Sequence, residues 1–342
     1  MKKIILAAFA AAAATTASAQ TLVNGAGATF PYPLYSKWFS DYTKVNTSVR
    51  FNYQSIGSGG GINQFTAGTV DFGATDAPMN ADQLAKVPDA IHVPMVLGAV
   101  VITYNAPIQG LRLTQANVAD IFLGKIKRWN DPAIASANPS LKLPDAPITV
   151  ARRSDGSGTT YVFTDYLSKI SPEWKEKVGT GTSVSWPVGL GGKGNEGVTG
   201  LVKQTPGAIG YVELAYANQN RLPKAILQNR DGNFVSPTLE ATSSAAAGVE
   251  MPADYRVSLT NASGKEAWPI SAFTWILVHK DAKDPVKGEA IANFLWWAVH
   301  DGQATAASLE YAPLPKTVVA MVEKTIKSLT VQGRPVSVAA AR

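Results

Sequence analysis

The segment Arg153-Ser154-Asp155-Gly156-Ser157-Gly158-Thr159 holds a cation, hydroxyls and glycine-freed amides in one short turn. The residues behind it, 160–168, read as a helix. A loop of this kind at a helix N-terminus is an anion cradle, because free N–H groups and the positive end of the dipole both favour a small oxyanion. Arg153 adds a planar, permanently charged fork suited to phosphate or carboxylate. No base or metal ligand shares the segment, which points to holding an anion rather than transforming it. Ser157 is flanked directly by glycines, whereas a nucleophile elbow requires Gly-x-Ser-x-Gly, and no histidine has a context that marks it as a base. Catalytic residues are therefore not assigned, and a secreted serine phosphatase or esterase is the alternative from another class.

Two further segments place small or hydroxyl residues just before a predicted helix. One is Gly25-Ala26-Gly27-Ala28-Thr29-Phe30-Pro31, with Pro31 in the first helical turn; the other is Gly57-Ser58-Gly59-Gly60-Gly61. Neither continues into the Gly-Lys-Ser/Thr of a nucleotide-binding loop. Gly191-Gly192-Lys193-Gly194 reads as a flexible loop with Asn195 capping the helix that follows. Asp76, in Thr75-Asp76-Ala77-Pro78, follows a strand. A carboxylate beside an anion site makes sense when the anion carries a proton, since the carboxylate accepts that hydrogen bond. Phosphate keeps a proton near neutral pH and sulfate does not. Facing sulfate, the carboxylate would be unpaired and repelled, at a cost of about several kcal/mol. A binding protein for another tetrahedral oxyanion is the nearer alternative.

These loops need a scaffold of strands ending where helices begin. Short apolar strands alternate with helical stretches, which argues for an α/β fold. Strands are expected at 22–24, with 25–27 as a turn, and at 49–55 and 70–75. A helix is expected over 31–42, a Gly/Ser loop over 57–61, and another helix from Ile62. Two long apolar segments, 93–104 and 268–278, are candidates to cross between two domains. Residues 130–147 and 189–197 make the central part more irregular. Helices are expected at 241–248, 285–299 and 315–329.

At 342 residues the chain exceeds one ordinary core, so two domains are expected. The basic excess of 31 over 25 is not gathered in long runs, which argues against nucleic acid as a partner. Lys2-Lys3, the apolar run 4–14 and Ala17-Ser18-Ala19 form a secretory leader over 1–19, cleaved before Gln20. With no cysteine anywhere, there is neither a disulfide nor a lipoprotein anchor. The three histidines share no metal-ligand spacing, so no metal or cofactor is expected. The reading is a free periplasmic protein.

The chain resembles the periplasmic phosphate-binding proteins of high-affinity phosphate ABC importers, over nearly its whole length after the leader. The segments that carry the likeness are GAGATFPYPLYSKW (25–38), NYQSIGSGGGINQF (52–65), VDFGATDAP (70–78), RSDGSGTTYVF (153–163) and TPGAIGYVE (205–213). The resemblance implies a two-lobed binding protein with two hinge crossovers, with residues 20–100 and 273–342 in one lobe and 101–272 in the other. It implies phosphate ligation by Thr29, Phe30 (through its backbone amide), Ser58, Asp76 as proton acceptor, Arg153, Ser157, Gly158 and Thr159. It places Asp155 in an ion pair with Arg153, and the motif spacing favours Arg153 over Arg152. It further implies delivery to the transmembrane subunits of an importer, and a monomer.

Overall fold

A computed structural model describes residues 20–338; the leader expected over 1–19 lies outside them. The core is one sheet of eight strands: β1 (Thr21–Gly27), β2 (Val49–Ser55), β3 (Phe72–Thr75), β4 (Ala90–Tyr104), β5 (Thr149–Arg153), β6 (Leu190–Gly192), β7 (Ala208–Glu213) and β8 (Ser271–His279). Their spatial order is β2-β1-β3-β8-β4-β7-β5-β6. The β2-β1-β3 end is parallel, and so is the β7-β5-β6 end. β8 runs antiparallel to β3 and β4, and β4 antiparallel to β7. This is the α/β architecture of a two-lobed binding protein. The strand β4 joins its two ends: Ala90–Ala99 pair with β8, and from Val100 onward the partner is β7.

β4 is buried continuously from His92 to Tyr104, as expected of a strand covered on both faces. Its pairing with β8 slips at Thr274/Trp275, opposite Pro94. Proline has no N–H for the ladder, so the bulge sits where the sequence cannot supply a donor.

Seven helices matter to the argument: α1 (Tyr32–Val45), α2 (Ser58–Thr66), α3 (Gly158–Ile170), α4 (Gly194–Gln204), α5 (Leu239–Ala246), α6 (Pro285–Val299) and α7 (Lys316–Lys327). α1 buries Leu34, Tyr35, Trp38, Phe39 and Tyr42, spaced by three and four along one face. Phe39 stacks on Phe51 of β2 at 5.1 Å and meets Phe294 of α6 at 5.1 Å, so the aromatic stripe welds α1 and α6 to the first strands. Each such ring pair adds roughly 0.5–1.5 kcal/mol beyond area burial.

Four expectations are corrected. Residues 25–27 are not a turn but the end of β1, paired on both sides, with the Phe72 ring lying over Gly25. Pro31 precedes α1 as its cap residue instead of sitting in the first turn. The glycines 59–61 are not a loop: they form the first turn of α2, and a Cβ on Gly61 would overlap the backbone of β1, so Gly61 serves close helix–strand packing. The stretch 190–192 is strand β6, and the cap residue of α4 is Lys193, not Asn195.

Candidate functional site

The C-terminal ends of five strands, β1, β2 and β3 from one parallel end of the sheet and β5 and β6 from the other, which runs the opposite way, face one place, the position where ligands bind in α/β sheets. β1 leads into Thr29 and Phe30 before α1. β2 leads through Gly57 to Ser58 at the start of α2. β3 leads to Asp76. Arg153 is the last residue of β5, and Ser157, Gly158 and Thr159 open α3. β6 leads into α4, whose first turn contains Asn195. All eight residues expected at the site are buried.

Contacts draw most of them into one cluster. Gly59 N–H donates to Gly156 carbonyl at 2.9 Å, which joins the start of α2 to the turn before α3. Gly158 lies so close to Ser58 and Asp76 that a Cβ there would overlap Ser58 Oγ and Asp76 Oδ2. Asp76 N–H donates to Ser58 Oγ at 3.1 Å. Arg153 Nη1 is 3.4 Å from Thr159 Oγ1. Ser157 caps α3, its Oγ accepting from Thr160 N–H at 3.0 Å. Phe30 is fixed through its carbonyl, which accepts from Tyr311 at 2.6 Å.

Arg153 makes a two-pronged ion pair with Asp155, at 2.7 Å from Nε to Oδ1 and 2.6 Å from Nη2 to Oδ2. Burial works to raise the Asp155 pKa, but the hydrogen bonds and charge of Arg153 outweigh it and hold this carboxyl below the usual range. Asp155 also accepts from Gly194 N–H at 3.1 Å. The charge of Arg153 is thus already offset, and an anion here would be held by aimed donors rather than by surplus positive charge. Successive residues of a strand face opposite ways; accordingly Arg152 lies against Gly191 of β6, while Arg153 enters the cluster.

Asp76 behaves differently. Burial pushes its carboxyl up to about 7, although Thr274 donates to Oδ1 at 2.8 Å and Arg153 lies near. Its other oxygen, Oδ2, is 3.5 Å from Ser58 Oγ and faces Gly158. The group is therefore poised to share a proton with whatever occupies the clamp.

Two participants escape a reading of the sequence. Asn195 Nδ2 donates to Thr29 Oγ1 at 2.7 Å and to Thr159 Oγ1 at 3.0 Å, bridging both sides of the cluster. Thr274 holds Asp76 from behind. The available signal for Thr274 was a hydroxyl in the middle of the otherwise apolar buried run 272–278. For Asn195 nothing local distinguishes a bridging asparagine from a capping one.

No helix among the described residues is long and apolar enough to cross a membrane, and no His/Cys/Asp/Glu cluster suited to a metal ion occurs among them. A model of the PBP superfamily domain matches residues 12–301. The chain is 49% identical to the phosphate-binding protein PstS of Pasteurella multocida strain Pm70, across 94% of each chain. It is 50% identical to PstS of Xylella fastidiosa strain Temecula1, across 88% of this chain and 84% of the relative. In structure it is similar to the phosphate-bound high-affinity periplasmic phosphate-binding protein PfluDING, with a TM-score of 0.71 and 21% identity, across 88% of this chain and 93% of that one.

Proposed function

The chain belongs to the PstS phosphate-binding proteins of the PBP superfamily, and we propose that it binds inorganic phosphate between its lobes and hands it to the membrane subunits of an ABC importer. We take residues 20–100 with 273–342 as one lobe and 101–272 as the other. The observation that carries the reading is the closure of the Thr29, Ser58 and Asp76 side onto the Arg153–Thr159 turn around a carboxyl facing a neutralised arginine. Phosphate is held by the hydroxyls of Thr29, Ser58, Ser157 and Thr159, by the amides of Phe30 and Gly158, and by Arg153. Asp76 accepts the proton that phosphate retains.

The reading extends to a periplasmic receptor exported by the leader at 1–19, and to a protein that carries out no covalent chemistry. In support of the latter, Ser157 Oγ serves the cap of α3 and every histidine is engaged elsewhere. His92 accepts from Met79 N–H, His279 pairs with Asp89, and His300 bonds Trp296 and Glu323.

Calorimetric titration of phosphate-stripped protein tests the assignment. Phosphate is expected to bind tightly and sulfate not at all at pH 8. Equal binding of the two would overturn the role of Asp76. Hydrolysis of a phosphate monoester that disappears with Ser157→Ala would overturn the receptor reading in favour of an esterase.

A further inference from the structure

We propose that Asn195 is a positioning residue that turns the Thr29 and Thr159 hydroxyl protons toward the ligand and thereby makes both side chains obligate donors. The inference rests on the receptor reading above and adds a residue and a role to it.

The orientation of the Asn195 amide is fixed by chemistry. Its Oδ1 lies 2.9 Å from the backbone N–H of Glu213, which can only donate. Oδ1 must therefore face β7, and the NH2 group must face the threonines. One of its protons goes to Thr29 Oγ1 and the other to Thr159 Oγ1. Thr29 Oγ1 accepts a second bond, from Asn195 N–H at 3.2 Å, and Thr159 Oγ1 accepts a second from Arg153 Nη1 at 3.4 Å. A hydroxyl has two lone pairs and one proton. With both lone pairs filled, each threonine can only donate, and its proton is aimed away from Asn195 and Arg153.

A hydroxyl left free to rotate accepts as readily as it donates, and it must be ordered on binding. Asn195 removes that freedom on both sides of the clamp at once. The two threonines come from opposite lobes, so the bridge to Thr29 is also a contact made only when the lobes meet. The site then offers donors everywhere except at Asp76. That pattern suits an anion with several ionised oxygens and one protonated oxygen, the form that phosphate takes near neutral pH.

A double-mutant cycle on phosphate affinity, read by calorimetry, tests this. Asn195→Ala is expected to weaken phosphate binding by roughly 10- to 100-fold in the otherwise unchanged protein. In Thr29→Val or Thr159→Val backgrounds the same change is expected to cost much less, because one of the protons it orients is gone. An equal cost in all backgrounds would mean that Asn195 only supports the fold, and would overturn the inference. Should Asn195→Ala fail to fold by circular dichroism, Asn195→Asp decides. It keeps the bond from Glu213 N–H, but it accepts where asparagine donates and draws the threonine protons out of the site. Asn195→Asp binding phosphate as tightly as the wild type would also overturn the proposal. A wild-type protein without phosphate affinity would instead sink the receptor reading, and wild-type affinity with no coupling would sink only the role of Asn195.

Discussion

Asp76 sits where a carboxyl is expensive to ionise, and the selectivity proposed for it follows from that cost. Desolvation raises its pKa to about 7 against the pull of Thr274 and Arg153. In the role proposed for it, the carboxylate would accept a hydrogen bond from phosphate and repel sulfate, whereas the neutral acid would donate to either. Sulfate affinity is therefore expected to rise about tenfold per pH unit as pH falls toward 7 and to level off below it, because one proton must be taken up per sulfate bound. Titrations with sulfate from pH 9 to 6 check this, and a flat profile would remove Asp76 from the discrimination. Asp76→Asn, which always donates, is expected to gain sulfate binding while losing less in phosphate affinity. If both affinities fall together, the carboxylate has another role.

The same residue leaves a mark on stability. With its folded pKa raised, Asp76 holds a proton that the unfolded chain gives up above about 4. Its contribution is fully present below that pH and is lost as pH rises toward 7. His92 works the other way. Burial lowers it to about 4, so its contribution is lost as pH falls from its ordinary value of 6.5 through that point. The two overlap in opposite directions, so the whole protein need show little slope. The melting temperature of wild type minus that of Asp76→Asn isolates the first. That difference is expected to decline from pH 4 to 7 in phosphate-free buffer, and a rising difference would contradict the raised pKa.

Among the secondary-structure elements, those defined by apolar periodicity were legible in the sequence: β2, α6 and the long β4 fall close to where patterning puts them. The turns were not, and the reason is common to the misreadings. Gly25, Gly61 and Gly192 look like punctuation in a sequence, but here they mark places where another backbone or ring approaches too closely for a Cβ. A lone sequence does not separate these two uses of glycine, because the second depends on partners distant in the chain. Among the glycines, Gly158 is different again. It opens α3 without positive φ, so alanine is compatible with the helix and even favoured there by about 1 kcal/mol. The obstacle to a Cβ comes from Ser58 and Asp76 of the opposite side. Gly158→Ala is thus expected to leave the phosphate-free melting temperature unchanged or slightly raised while weakening phosphate binding at least about 100-fold, since a buried overlap prevents the lobes from meeting. A fall in melting temperature with normal binding would show that the glycine serves the helix and not the closure.

At the scale of the whole molecule, the strand β4 changes partner between Ala99 and Val100, so the two ends of the sheet are joined by extended backbone that can flex without breaking either lobe's own ladder. The direct links between the lobes include Gly59 N–H to Gly156 carbonyl, Asn195 to Thr29 and Tyr216 to the Thr29 carbonyl at 2.6 Å, with Arg256 Nη1 to the Met79 carbonyl and Tyr255 to Thr325 further along. A ligand that bridges the rest would decide the balance between open and closed forms, because it binds the closed form better. The absence of cysteine makes this directly measurable. A Cβ on Gly59 would lie 3.2 Å from Gly156 Cα, and neither residue has positive φ, so Gly59→Cys with Gly156→Cys places two thiols across the cleft only when it is shut. Under mild oxidation the disulfide is expected to form several-fold faster with saturating phosphate than without. Protein oxidised in labelled phosphate is expected to retain the label through dialysis and release it on reduction, because the bond holds the lobes together around the anion. Crosslinking at the same rate with and without phosphate, with label lost freely from the oxidised protein, would mean that the two lobes do not close on the ligand and that binding and domain motion are uncoupled.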